Sequence, residues 1–319
     1  MRLSSILSGL LLLALLVRAH CADSQTSTAP AQTPAAYHLN VSVDEVVLTF
    51  HAADSHGLSV NDLKADELRL LDNGKPPAKI IGFQLLHDAP IRAGILIDTS
   101  ESMRNAIDRN RTIAMQYAQQ IVRQPTDQAF VADFVRRARI LENWTGDAAA
   151  VTSAIGKVSA GAGSVSRGTA IFDTIEHACE FQFGAIDHVA SGNFILLFSD
   201  GEDNASDLRL EDAIDACQHS NTAIYAFRTE REPGFTSTGP ATLTQLTAQT
   251  GGRVFRENDS EAGVSEDLRI IESDLRNQYR LVYKPAELRH DGSFHPIVML
   301  PPSRVDTITI RSGYYAPSH

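Results

Sequence analysis

For a chain of 319 residues this sequence is short of cysteine, tryptophan and positive charge, with three Cys, one Trp, and 28 Lys plus Arg against 39 Asp plus Glu. Each shortage excludes something. A formal net charge of −11 leaves no basic face for a phosphate backbone, so nucleic acid is not expected as a main partner. Long apolar runs are missing too. The one extended run, Ile6 to Val17, falls short of the roughly 20 residues that a spanning helix needs. No thiolate or imidazole cluster suits zinc. No Gly-x-Ser-x-Gly elbow marks a serine hydrolase, and Gly163 to Thr169 has the glycine spacing of a phosphate loop without its lysine.

What is present begins with an export signal. Arg2 supplies the positive start, Ile6 to Val17 the apolar stretch, and Ala19, Cys21 and Ala22 the small residues before cleavage, so residues 1–22 read as a signal peptide. The mature protein is then exported, to a periplasm or to the medium. Lipid anchoring at Cys21 ranks second, because Arg18-Ala19-His20 poorly matches the residues that precede a lipidated cysteine. Residues 23–36, DSQTSTAPAQTPAA, carry no large apolar side chain and read as a disordered linker. Cys179 and Cys217 remain, on predicted helices flanking the same strand. An oxidising compartment permits a disulfide between them, and two buried free thiols are the equal alternative.

Residues 37–90 have strand character: His38 to Val43 alternates, Glu45 to Phe50 continues, and Leu68 to Leu71 runs into the turn signal Asp72-Asn73-Gly74-Lys75. Between 91 and 276 strands alternate with helical runs, which predicts crossovers and a mainly parallel sheet. The short link between Phe130–Val135 and Arg139–Glu142 predicts an antiparallel edge pair. Strand pattern returns over 277–319. The expected fold class is therefore α/β: a Rossmann-like, doubly wound, mainly parallel sheet inserted into a smaller β-sandwich-like domain, which residues 37–90 and 277–319 build together.

Three segments carry chemistry. Asp98-Thr99-Ser100-Glu101-Ser102 follows the apolar strand Ala93 to Ile97, Gly168-Thr169-Ala170 precedes a helical run, and Ser199-Asp200-Gly201 follows Phe194 to Phe198. Each alone reads as a helix cap, since Asp, Ser and Thr favour helix starts. Together they bring two carboxylates and three hydroxyls to the rim where strand order reverses. Two carboxylates that close repel unless a cation or a shared proton lies between them. Hydroxyl, carboxylate and water oxygens suit Mg²⁺ at about 2.0–2.1 Å, or Mn²⁺. Glu202 and Asp203 read as solvated loop residues, with affinity tuning or a second ion as the alternative. Trp144 reads as a core or edge aromatic. Two loops, Ser159 to Arg167 and Thr229 to Pro240 with Arg231 and Phe235, are expected on the same rim.

The motifs Asp98-x-Ser100-x-Ser102, Gly168-Thr169-Ala170-Ile171-Phe172-Asp173 and Ser199-Asp200-Gly201-Glu202-Asp203, in this order and strand context, resemble the von Willebrand factor A domain with its metal-ion-dependent adhesion site. The flanks, through Leu71 to Pro76, Gln278 to Tyr283 and Gly313 to Pro317, resemble bacterial exported proteins with a related domain. The resemblance implies metal ligation by Asp98, Ser100, Ser102, Thr169 and Asp200, with one coordination position left for a partner's acidic side chain. The function it implies is a non-enzymatic, exported binding or adhesion protein that takes a protein ligand with an exposed Asp or Glu. Two alternatives stand beside it: an envelope scaffold with a merely stabilising ion, and, less favoured, a metal-dependent hydrolase or phosphotransferase. A haloacid-type phosphotransferase wants a second Asp where this chain has Ser100.

Overall fold

The computed structural model describes residues 45–87, 89–123, 125–161, 168–184, 192–230, 237–256 and 260–317. The signal peptide, the linker, the strand expected over 38–43, Arg231 and Phe235, and most of the Ser159 to Arg167 loop lie outside the described residues. The elements in chain order are β1 (Val46–Ala53), β2 (Arg69–Asp72), β3 (Lys79–His87), β4 (Ile91–Asp98), α1 (Ile107–Ile121), β5 (Gln128–Phe134), β6 (Ala138–Thr145), α2 (Ala148–Gly156), α3 (Ile171–His177), β7 (Gly192–Ser199), α4 (Leu210–His219), β8 (Ala223–Arg228), α5 (Gly239–Thr250), β9 (Val254–Arg256), α6 (Glu261–Arg276), β10 (Asn277–Lys284), β11 (Phe294–Leu300), β12 (Thr307–Ile310) and β13 (Gly313–Tyr315).

Six strands form the central sheet in the order β6-β5-β4-β7-β8-β9. All neighbours are parallel except β5 and β6, the expected antiparallel edge pair. β4 is buried at every position, as a central parallel strand covered on both faces must be. Its alternation sorts the two layers. Ile91, Ala93, Ile95 and Ile97 face a core built with α1, α2 and α6, while Leu96 faces the core of α3, α4 and α5. Order reverses between β4 and β7, so the switch point lies where the sequence motifs put it.

Strands from both ends of the described chain make two further antiparallel sheets, β12-β1-β10-β3 and β13-β11-β2. Both contribute to one core, with Leu48, Phe50, Leu281 and Tyr283 from the first and Leu70, Ile297 and Tyr314 from the second. This is the sandwich expected from the flanking strand patterns. The points where the chain enters and leaves the α/β layer are clamped together. Asp127 Oδ1 accepts from the Ile91 backbone N–H at 2.9 Å and Oδ2 accepts from Arg276 Nη2 at 2.9 Å, both groups buried. β3 and β10 then continue as a pair beginning at His87 and Asn277. His51 on β1 contacts Asp274 of α6 at 2.8 Å, adding a buried polar tie between sandwich and α/β layer.

α3 does not run on as a regular α-helix to Glu180. From Ala178 to Phe183 it widens into a π-helix. Trp144 Nε1 donates to Gln182 O, a carbonyl of its last turn, at 3.3 Å. The indole also packs edge-on against Phe130 and Phe183, with Arg92 over its ring, so Trp144 is an edge aromatic of the fold. The π turn carries Cys179, which is disulfide-bonded to Cys217 on α4. The pairing left open by the sequence is closed.

Candidate metal centre

β4 and β7 end side by side, with Ile97 opposite Phe198. That register puts Asp98 next to the Ser199-Asp200 corner. Asp98 is fully buried; its Oδ1 accepts from the Ser100 N–H at 2.9 Å and its Oδ2 from Ser199 Oγ at 2.8 Å. The chain then makes a short 3₁₀ turn over Glu101–Met103, anchored by the buried Met103. This brings Ser100 Oγ and Ser102 Oγ within 3.2 Å of one another. Asp200, also buried, accepts from the Glu202 N–H at 3.1 Å. Gly201 sits at φ 84°, and a Cβ there would meet Gly239 O at 2.4 Å, so the start of α5 presses against this corner. Only glycine fits.

Thr169 comes from the loop before α3 and is fastened to the segment after Asp200. Its N–H donates to Asn204 Oδ1 at 2.8 Å, and its carbonyl accepts from the Asn204 and Ala205 N–H groups at 3.0 and 3.1 Å. Gly168, at φ 101°, permits that approach, since a Cβ there would lie 2.9 Å from Ala205 Cβ. On the opposite side Ala170 N–H donates to Val135 O at 2.7 Å. All five residues singled out from the sequence therefore lie at the carboxyl rim of the sheet, two of them on adjoining strand ends.

A second layer of side chains holds the two loops together, and here the reading of Glu202 and Asp203 as solvated loop residues needs correction. Asp203 Oδ2 accepts from the Ile171 and Phe172 N–H groups at 2.7 and 3.1 Å, satisfying donors at the start of α3. Ser206 Oγ accepts from Phe172 and Asp173. Asp173 returns the bond, accepting from the Asp207 and Leu208 N–H groups at 3.1 and 2.9 Å. Glu202 accepts from the Gly239 N–H at 2.8 Å and from the Ser237 and Thr238 hydroxyls. Burial pushes its carboxyl upward, and these bonds together outweigh that and hold it below the usual range. Both acids are positioning residues for helix starts. Partners 30 or more positions away in sequence leave no local signal of this.

Burial dominates the electrostatics of Asp98, pushing its carboxyl up to about 6; the Ser100 and Ser199 bonds pull it down and the negative Asp200 adds to the rise. The side-chain oxygens that these five residues bring to the rim, two carboxylates and three hydroxyls, are of the kind a hard divalent cation takes. A carboxylate offers about four lone-pair directions, and the two bonds on Asp98 leave it acceptor capacity. Among the described residues no group of three or more His, Cys, Asp or Glu is placed to hold a metal, so a metal at this rim has to draw on the hydroxyls.

Residues 94–202, about a third of the chain, match the model of the von Willebrand factor type A domain. Over these residues the α/β part is similar to a von Willebrand factor type A domain. The matched span runs from β4 through Asp200 and so contains every motif residue of the rim. Similar solved structures include BatB, a conserved hypothetical protein from Bacteroides thetaiotaomicron, at 15% identity and TM-score 0.45, covering 57% of this chain and 97% of that one. A von Willebrand factor type A protein from Catenulispora acidiphila, at 13% identity and TM-score 0.44, covers 86% of this chain and 73% of its own. Proximal thread matrix protein 1 from the mussel byssus, with a zinc-occupied metal-ion-dependent adhesion site, stands at 17% identity and TM-score 0.47, covering 64% and 50%. No curated protein matches the chain.

Proposed function

We propose that this protein is an exported, divalent-metal-dependent binding protein, in which Asp98, Ser100, Ser102, Thr169 and Asp200 hold Mg²⁺ or Mn²⁺ and a partner protein's Asp or Glu completes the coordination. The observation that carries the reading is the buried Asp98 beside the buried Asp200, with the Ser100 and Ser102 hydroxyls 3.2 Å apart on the turn that follows Asp98. The metal would bring positive charge to these carboxylates and an electrophilic point for an incoming carboxylate. The chain's own residues do the rest. Ser199 and the Ser100 backbone fix the orientation of Asp98, and Asn204 fixes the Thr169 backbone. With only two acidic groups among five ligands, the charge of a bound divalent cation is balanced and not exceeded, so the ion stays electrophilic, which favours recognition over catalysis. The α/β insertion spans 91–276 in this reading, with 37–90 and 277–319 completing the sandwich, and the protein acts in a periplasm or outside the cell.

The test is capture from cell-envelope extract by the mature protein, in Mg²⁺ and again in EDTA, alongside Asp98→Ala. Partner capture lost in EDTA and in the variant is the expected result. The envelope-scaffold reading draws support from the dense bonding of the Glu202 to Leu208 segment; it predicts that metal raises the melting temperature while capture stays the same in both conditions.

A further inference from the structure

A groove with a volume of about 880 Å³ opens beside the metal centre, within the size range of ligand sites. Thr99, the residue next to Asp98, forms one end. One wall is the turn between β5 and β6, where Arg136 and Arg137 are exposed and have no ion-pair partner among the described residues. Arg139, at the start of β6, is already committed to Asp133. The other wall is α3 with the loop after Ala205, and it presents Glu176 and Asp207. Burial pushes the Glu176 carboxyl upward, and the negative Glu180, Asp173 and Asp212 push it further. One wall therefore carries free cationic groups and the other anionic ones, and Thr99 ties the groove to the strand end that carries Asp98.

An α-helix rises about 1.5 Å per residue, so Glu176 stands roughly 8 Å along α3 from its first residue, Ile171. An extended chain advances about 3.3 Å per residue and turns successive side chains to opposite sides. A strand-like segment leaving the metal along this groove thus reaches Glu176 within about two or three residues, offering alternate side chains to alternate walls. Resting on the metal-capture reading above, we propose that the groove is the specificity site for an extended peptide segment in which acidic and basic residues alternate next to the metal-bound carboxylate, acidic side chains meeting Arg136 and Arg137 and basic ones meeting Glu176.

The test is fluorescence anisotropy with three synthetic decapeptides on the mature protein. Each starts with the same Asp; one continues with alternating Lys and Glu, one has the same composition in two like-charge blocks, and one continues with Gly and Ser. Mg²⁺ and EDTA arms are run on wild type, Glu176→Gln and the double variant Arg136→Gln with Arg137→Gln, with Mg²⁺ affinity measured on each. The expected result is at least tenfold tighter binding of the alternating peptide than of the blocked one, with that preference lost in both variants while Mg²⁺ affinity holds. Equal, EDTA-sensitive binding of all three peptides overturns the groove and leaves metal capture standing. A preference for the alternating peptide that persists in EDTA sustains the groove and removes metal capture. Binding of none of them overturns the groove proposal.

Discussion

Two buried aspartates, one in each layer of the molecule, have opposite surroundings. Asp72, at the end of β2 in the sandwich, accepts from the Tyr283 and Tyr314 hydroxyls at 2.8 Å each and contacts His295 Nδ1 at 3.1 Å. Burial, reinforced by the negative Asp72, raises both tyrosines well above their ordinary range and keeps them as donors. Asp98 at the rim has two hydrogen bonds and faces a second carboxylate. The first aspartate is closed by donors of its own fold. The second is oriented by donors of its fold and also faces another buried acid. That difference is what the proposed metal site would explain.

The comparison breaks first, and most heavily, in the sandwich. Asp72→Ala removes the shared acceptor of two buried hydroxyls, while Tyr314 Oη keeps its 3.3 Å contact with His295 Nδ1; at about 1–3 kcal/mol for each buried group left unsatisfied, thermal unfolding is expected to show a loss of about 2 kcal/mol or more in both Mg²⁺ and EDTA. A loss below 1 kcal/mol would remove the claim that Asp72 is a structural acceptor. Asp98→Asn is the counterpart. In EDTA it relieves a buried charge that opposes Asp200, and the variant is expected to melt at or above the wild-type temperature. An intermediate case sharpens the contrast between orienting and ligating. Asp203→Ala removes the acceptor for the first N–H groups of α3, at about 1 kcal/mol by analogy with helix caps, and should weaken Mg²⁺ binding about 10- to 100-fold, as loss of a ligand's support does. Unchanged Mg²⁺ affinity in a folded Asp203→Ala protein would show that the second layer does not position the metal ligands.

The strand order and the rim residues were legible because they follow from local pattern. Apolar runs such as Ile91 to Ile97 and Phe194 to Phe198 mark central parallel strands, and the polar residue that ends each run has to sit at the carboxyl rim. The flanking strands were legible for the same reason, down to the turn at Asn73-Gly74, where both residues have positive φ. What remained hidden depends on contacts between segments far apart in sequence. Asp203 and Glu202 look like any acidic loop; their roles exist only once α3 and α5 begin beside them. Asp72 reads as a turn residue, and its donors arrive from β10, β11 and β13, more than two hundred positions later. The disulfide stayed open because helix spacing leaves free thiols and a bridge equally allowed. Arg136 and Arg137 gain their meaning from the wall that α3 places opposite.

In the proposed site Asp98 and Asp200 with three hydroxyls hold a divalent metal. Calorimetric titration of the mature protein with Mg²⁺, repeated on Asp98→Ala and Asp200→Ala after circular dichroism has shown each to be folded, tests it directly. One saturable ion per chain is expected in wild type and none in either variant. Mg²⁺ affinity unchanged in both variants, or no Mg²⁺ or Mn²⁺ binding by the wild type, would contradict it.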